Sequence, residues 1–432
     1  MFQAMGDGRI QDSGAGKNAL SGTEQPPDGW EGCSGAEKMH WVKEEDFLAD
    51  KNNSSEGNIL AEIRRDGFSF ARLAECCPEL SRLKGIPQNP DYHAEGDAYR
   101  HTEMVCGELT KLDGWSRLKG EEQELLFLSA AFHDIGKVFC TRKEDGQWVS
   151  PKHTGVGERE FRRLVYLEAE HFGLSFEQRE LAAQLIRHHG LPVWFWTKKR
   201  PEYDLLKAAE SVPLRLLYLL SMADITGREN RAGEDMSERV ELFADFAEEL
   251  GIWEGPFPFA NRYTRFRYFH GSDLPPEANL YDDTGFDVIL MSGLPLSGKD
   301  SWIAEYGREA ADSGLPAISM DDIREQLGIP PAKKSDQIAR MAADQAKIYL
   351  RQKRPFIWNA TNIVRETRQR LIGLFAGYGA RVHIRYLEAP YRELLARNRK
   401  RARSIPPEVL EKMIQKLEPP ALWEAYEVRR PG

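Results

Sequence analysis

The sequence predicts a multidomain chain, an all-α domain followed by an α/β domain built on a parallel sheet. Three observations carry this. At 432 residues the chain exceeds one ordinary domain, since domains run at roughly 150 residues each. From Ile59 to about Leu250 the apolar residues recur at helical spacing. From Phe286 onward, short apolar runs alternate with helical segments, the rhythm of strand–helix–strand units joined in parallel.

Residues 1–57 read as a flexible tail, rich in Gly, Ser, Asp and Pro to about residue 40, in which Trp30 and Trp41 could dock locally. Residues 58–253 read as the helical domain. Its segments Glu122–Phe132 and Leu214–Leu220 are too apolar for surface helices. The breakers Gly255, Pro256, Pro258, Pro275 and Pro276 mark a linker over 254–284. Residues 285–432 read as the α/β domain. Phe286–Met291, Pro316–Ser319, Phe356–Trp358 and Val382–Tyr386 are its expected strands.

Composition narrows the class. The formal net charge of −9 excludes a generally basic nucleic-acid coat, though not a local basic groove. Five cysteines, none in a C-x-x-C pair, argue against a disulfide framework or a zinc ribbon and suit a reducing, cytoplasmic setting. No cationic start followed by an apolar run reads as a signal peptide, and no apolar stretch reaches the roughly 18 residues of a membrane span.

Gly293-Leu-Pro-Leu-Ser297-Gly298-Lys299 follows the first expected strand and opens a helical segment, the context that G-x-x-x-x-G-K requires. Glycines let backbone N–H groups close around phosphates. A helix N-terminus and Lys299 add positive charge. Asp300 stands where Ser or Thr normally meets Mg²⁺, with Ser301 next, so a carboxylate would meet the ion. The alternative is a plain glycine turn.

At the end of the second strand, Asp321 is placed to accept a proton from an attacking hydroxyl, and Arg324 to clamp an acceptor phosphate. Asp321 and Asp322 are equally suited to cap a helix. Asn359, Thr361 and Asn362 end the third strand on the edge where open α/β sheets bind ligands. The run Arg397–Arg403, with Arg397 and Arg401 in it, reads as an arginine lid over phosphates or as a solvated face.

Gly-Leu-Pro-x-Ser-Gly-Lys, Asp-Asp-x-x-Arg, Thr-Asn and Arg-Asn-x-Lys-Arg resemble the kinase domain of phage and bacterial 5′-hydroxyl polynucleotide kinases, over about Phe286–Glu418. The resemblance implies ATP and Mg²⁺ as cofactors and Asp321 as general base. It implies phosphate contact by Arg324, with Lys299 and Arg401 stabilising the transferring group. Asn359 and Ala360 depart from it, since such kinases often carry Asp there.

The helical part holds a second set. His133-Asp134 ends an apolar helix and offers an imidazole and a carboxylate to one metal. His101 lies on the preceding helix, and Asp224 lies on a later one where an unpaired carboxylate would be costly. His153, His188 and His189 fall between, His189 being the better placed of the pair. Seven of the ten histidines lie between His93 and His189. A divalent cation here would activate water for attack on phosphorus, with Lys137 steadying the oxyanion. The alternative is a set of satisfied core histidines with a capping Asp.

This stretch resembles the HD phosphohydrolase superfamily, and Asn89–Thr102 resembles the HD domain of bacterial tRNA nucleotidyltransferases. That likeness, over about Leu73–Arg228, implies His101, His133, Asp134 and Asp224 as core ligands and a 2′,3′-cyclic phosphodiesterase and phosphatase activity. Mn²⁺, Ni²⁺, Co²⁺, Zn²⁺ and Mg²⁺ all stay open as the ion. An HD domain followed by such a kinase resembles bacterial bifunctional end-healing enzymes. These act on RNA or DNA termini for a nucleic-acid ligase. In the linker, Asn261–Phe269 interleaves cations with aromatics, which suits single-strand contact or a strand with an aromatic inner face. Two other readings stand beside this one: a small-molecule or nucleoside kinase fused to a nucleotidase, and a nucleotide-sensing signalling or defence module.

Overall fold

The computed structural model describes residues 58–229, 235–271, 273–309, 314–329, 335–401 and 404–431. The expected tail, Trp30, Trp41 and Arg403 lie outside the described residues.

The helical part packs around Gly120–Phe132, in which Leu126, Phe127, Leu128, Ala130, Ala131 and Phe132 are all fully buried. A helix apolar on every side needs neighbours on every side. Ala98–Leu109, Phe176–His188 and Leu214–Thr226 all pack against it. Starts are set locally. Asp97 caps the first of these helices by accepting from Arg100 N at 2.9 Å, and Ser175 with Gln178 forms a capping box on the second. His153–Leu167 runs alongside Phe176–His188. Strands β1 (Arg142–Glu144) and β2 (Gln147–Val149) form a small hairpin.

The α/β part is a five-stranded parallel sheet: β3 (Phe286–Ser292), β4 (Ala317–Ser319), β5 (Phe356–Asn359), β6 (Ala380–Tyr386) and β7 (Glu427–Arg429). The four expected strands are present and β7 is additional. The spatial order is β4-β5-β3-β6-β7. The central β3 is almost wholly buried, which explains its unbroken apolar run. Both of its neighbours, β5 and β6, follow it in the chain, but the chain leaves β3 towards the β4–β5 side and leaves β6 towards β7 on the other side. The loop after β3 therefore opens at the point where strand order reverses, where α/β sheets bind ligands.

The reading of Asn261–Phe269 as a strand with an aromatic inner face is corrected here. Asn261–Phe269 contains a helix, Arg262–Phe269, started by Asn261 Oδ1 accepting from Thr264 N at 2.8 Å. Tyr263, Phe266, Tyr268 and Phe269 are buried. Arg262 pairs with Glu427 at 3.1 Å and Arg265 with Glu210 at 3.2 Å. The aromatics serve the core and these two arginines tie elements together, so the segment offers no stacking surface to a single strand.

Helical and α/β parts share buried contacts. Tyr166 OH donates to Ala389 O at 2.6 Å, and Tyr166 packs in one cluster with Leu294, Tyr386, Leu410 and Ile414. Among the described residues no helix is long and apolar enough to cross a membrane.

Candidate functional site

Two separate clusters carry chemistry. In the helical part, the C-terminal end of Gly120–Phe132 delivers His133 and Asp134, while His101 and Asp224 reach in from their own helices; all four are buried. His101 Nε2 lies 3.0 Å from Asp224 Oδ1 and 3.7 Å from Asp134 Oδ2. His133 Nε2 lies 3.2 Å from Asp134 Oδ2 and 4.0 Å from Asp224 Oδ1. On the other side of Asp134, His153 Nε2 approaches Oδ1 at 3.4 Å and His189 Nε2 at 3.4 Å. The ligand-type atoms sort into two adjacent triads, His101–His133–Asp224 and Asp134–His153–His189, each with its atoms within 4.8 Å of one another.

The rings are oriented from behind. Nδ1 of His133, His153 and His189 donates to the carbonyls of Ala130 (2.7 Å), Ser150 (2.8 Å) and Ile186 (2.9 Å), which turns each Nε2 inward. His101 Nδ1 lies 3.0 Å from Glu95, which also receives His93 Nδ1 at 2.8 Å. Gly136 allows the close approach. A Cβ there would fall 2.1 Å from His153 O and 2.6 Å from Gly157 N.

Charge suits a cation. Burial opposes ionisation of both aspartates, yet Lys137 and His133 hold Asp134, and Arg228 and His101 hold Asp224, well below the usual carboxylate range. Lys137 Nζ is 2.6 Å from Asp134 Oδ2 and also donates to Gln88 at 2.5 Å. Burial and the charges of His133 and His153 push His189 down to about 3; burial also lowers His153. Neutral imidazoles whose Nε2 atoms face into the cluster are suited to bind a metal. His133 Nε2 and Asp134 Oδ1 are buried without a hydrogen-bond partner, a costly arrangement that a bound ion relieves. The residues therefore fit a divalent metal. His188, beside His189, contributes no atom to either triad.

In the α/β part, the loop after β3 wraps around itself. Gly293 N donates to Thr361 O at 2.8 Å, and a Cβ on Gly293, at φ +148°, would meet Leu387 O at 2.2 Å. Lys299 Nζ donates to the carbonyls of Gly293 (3.1 Å) and Leu294 (2.7 Å), and burial pushes it down to about 8. Ser297 Oγ is buried with no hydrogen-bond partner. Arg397 covers the loop, donating to Leu296 O at 2.7 Å. Arg401 is exposed, yet near enough that its charge helps hold the Lys299 value down. Asn398 closes the turn that follows by pairing both ways with Ile405, at 2.7 and 2.8 Å.

The strand ends are partly as expected. Ser319, not either aspartate, caps Met320–Gln326, accepting from Asp322 N at 3.2 Å. The Asp321 side chain is 87% exposed, with Arg324 Nη1 at 3.5 Å. Asn359 Nδ2 donates to Asp300 Oδ1 at 2.8 Å, which aims the carboxylate that replaces the usual hydroxyl; Ser301 is exposed beside it. Asn362 holds β3 by donating to Met291 O at 2.7 Å. Sequence reasoning missed Glu95, Gln88, Arg228 and the Asn359–Asp300 bond. Glu95, two residues from His93, carried a local signal; the others meet their partners only through the fold.

A parallel sheet with a phosphate-binding loop on its central strand defines a P-loop, kinase-like domain, and with it ATP and Mg²⁺. Residues 288–420 match a family described as an AAA domain. The N-terminal region resembles the Multifunctional CCA protein of Burkholderia mallei (strain SAVP1), 31% identical over 199 residues, covering 45% of this chain and 41% of that protein. The Multifunctional CCA protein of Thioalkalivibrio sulfidiphilus (strain HL-EbGR7) is 33% identical over 205 residues, covering 46% and 41%. The chain thus spans about two fifths of the length of the curated relatives it matches. Loop and relatives together point to a nucleotide-related enzyme.

Proposed function

We propose that the chain heals nucleic-acid ends: residues 285–432 phosphorylate 5′-OH termini from ATP, and residues 58–253 remove 3′-phosphate and 2′,3′-cyclic phosphate. The observation that carries this is the pair of His/Asp triads meeting at Asp134, in the same chain as the Lys299 loop.

In the kinase half, Asp321 takes the proton as the 5′-oxygen bonds to the γ-phosphorus and the bond to the β,γ-bridging oxygen breaks, releasing ADP. The loop amides around Gly293, Ser297 and Gly298 hold phosphate oxygens. Lys299, Arg397 and Arg401 balance charge on the transferring group, and Arg324 fixes the acceptor phosphate. Asp300, aimed by Asn359, would help to hold Mg²⁺.

In the hydrolase half, His101, His133 and Asp224 would hold one divalent ion and His153 and His189 a second, with Asp134 lying between the two sets. Bound there, divalent ions supply water activation and charge neutralisation at phosphorus. Lys137 keeps Asp134 ionised and turned inward. RNA broken by 2′-OH attack carries the wrong phosphate on both ends, and these two reactions together restore ends fit for a ligase. Phosphate transfer from ATP to a 5′-OH oligonucleotide tests the reading. It is met if free nucleosides in excess fail to compete. Nucleosides that outcompete the oligonucleotide would favour a nucleoside kinase joined to a nucleotidase instead.

A further inference from the structure

Immediately after His189 the chain makes two short turns, Leu191–Trp194 and Phe195–Thr197. Trp194 and Trp196 remain 46% and 47% exposed. Two half-exposed indoles side by side leave a large apolar area in water, unlike single apolar residues scattered over a surface. Both rings are fixed. Arg239 lies over each of them, its guanidinium carbon 5.3 Å from one centroid and 5.2 Å from the other. Trp196 Nε1 donates to Val193 O at 3.2 Å.

The turns are tied to the metal centre. Val193 is buried in one cluster with Met222, two residues before Asp224. The carbonyl of His189 accepts from Ser221 Oγ, and Trp194 Cδ1 stands 4.0 Å from a Cβ placed on Gly190. Lys198, Lys199 and Arg200 follow, all exposed, and no acidic residue lies between His189 and Pro201. In a chain of net charge −9 this is a local positive patch next to flat aromatic surface.

We infer that Trp194 and Trp196, flanked by Lys198 and Lys199, form a stacking platform for the unpaired bases of a single-stranded polynucleotide whose 3′ end enters the metal centre. Indole faces stack on any base, and cations beside them follow the phosphates, so the platform selects strands over mononucleotides without selecting sequence. The inference rests on the hydrolase reading for the position of the 3′ end. It also supplies the single-strand contact that Asn261–Phe269, being buried, cannot make.

The test uses the full-length, Mn²⁺-loaded protein and its Trp194→Ala/Trp196→Ala variant. A short single-stranded RNA ending in a 3′-hydroxyl, which cannot react, is titrated in by fluorescence anisotropy. The same RNA with a 3′-phosphate, and p-nitrophenyl phosphate, are assayed for turnover. The platform predicts an RNA Kd and KM raised about tenfold, an unchanged rate on p-nitrophenyl phosphate, recovery in Trp194→Phe/Trp196→Phe, and a shallower salt dependence in Lys198→Ala/Lys199→Ala. Unchanged RNA Kd in the alanine variant would overturn it. A wild type that binds the RNA through the tryptophans yet releases no phosphate from it would sink the hydrolase reading and leave the platform standing.

Discussion

Arg179 of the Phe176–His188 helix, which is buried, and Glu388, partly buried two residues beyond β6, form a two-point ion pair, with N–O distances of 2.6 and 3.0 Å. The pair does not stand alone. Arg179 also bonds Glu180, which binds Arg162, which in turn binds Glu158 and reaches Leu417 O at 3.5 Å. Two helices that bring His153 and His189 to the His/Asp cluster are thereby joined to the strand end that backs Gly293. Buried pairs cost desolvation on both sides, so this one contributes more to a fixed geometry than to net stability.

Arg179→Ala should therefore be far worse than replacing the whole pair. It leaves Glu388 and Glu180 without their common partner, a loss on the order of 3–5 kcal/mol. Thermal unfolding should show a marked fall in the midpoint for Arg179→Ala, and a smaller one for Arg179→Met/Glu388→Leu.

Metal content should follow the two triads. Elemental analysis of Mn²⁺-loaded protein should find about two ions per chain, and Asp134→Asn, which touches both sets, should lose most of them. His153→Ala should fall towards one, because His101, His133 and Asp224 are untouched. Equal loss in both variants would argue against two adjacent sites.

Gly136→Ala should damage the hydrolase alone. Its methyl group would fall 2.1 Å from His153 O and push that helix off Asp134. Displacement of a catalytic group by about 1 Å costs roughly 100-fold, so phosphate release should fall by at least ~10-fold while 5′-phosphorylation persists.

The free protein's affinity for ATP should depend on pH through Lys299. Burial holds its ammonium down to about 8, so the charged form is full below that pH and is lost above it. The triphosphate favours the charged form, so binding raises the lysine's value. Affinity should thus be highest below pH 8, decline above it by up to ~10-fold per unit, and be accompanied by proton uptake there. Calorimetry in buffers of different ionisation enthalpy reads that uptake; Lys299→Met should abolish it.

Much of this was legible because local rules and the fold agree. The buried strand Phe286–Met291 followed by Gly293–Lys299 could be read outright, since the loop's chemistry is contiguous. The convergence of His101, His133, Asp134 and Asp224 could be read because His133-Asp134 marks one point and a buried, otherwise unpaired Asp224 demands partners. Asn261–Phe269 misled because its aromatics fit period two and period three equally well. Asn261, a capping residue three positions before Thr264, was the signal that decided for a helix. Arg179 and Glu388 lie 209 residues apart, and Asn359 and Asp300 lie 59 apart, so nothing local announces either pair. Trp194 and Trp196 pass for core residues in sequence; only their exposure sets them apart.

The most direct measurement is an end-group assay on one RNA carrying a 5′-OH and a 3′-phosphate, run with the wild type, Lys299→Ala and Asp134→Ala. Two independent sites predict that the wild type converts both ends, that Lys299→Ala converts only the 3′ end, and that Asp134→Ala converts only the 5′ end. If either substitution abolished both conversions in a folded protein, or neither end changed with the wild type, the account would be contradicted.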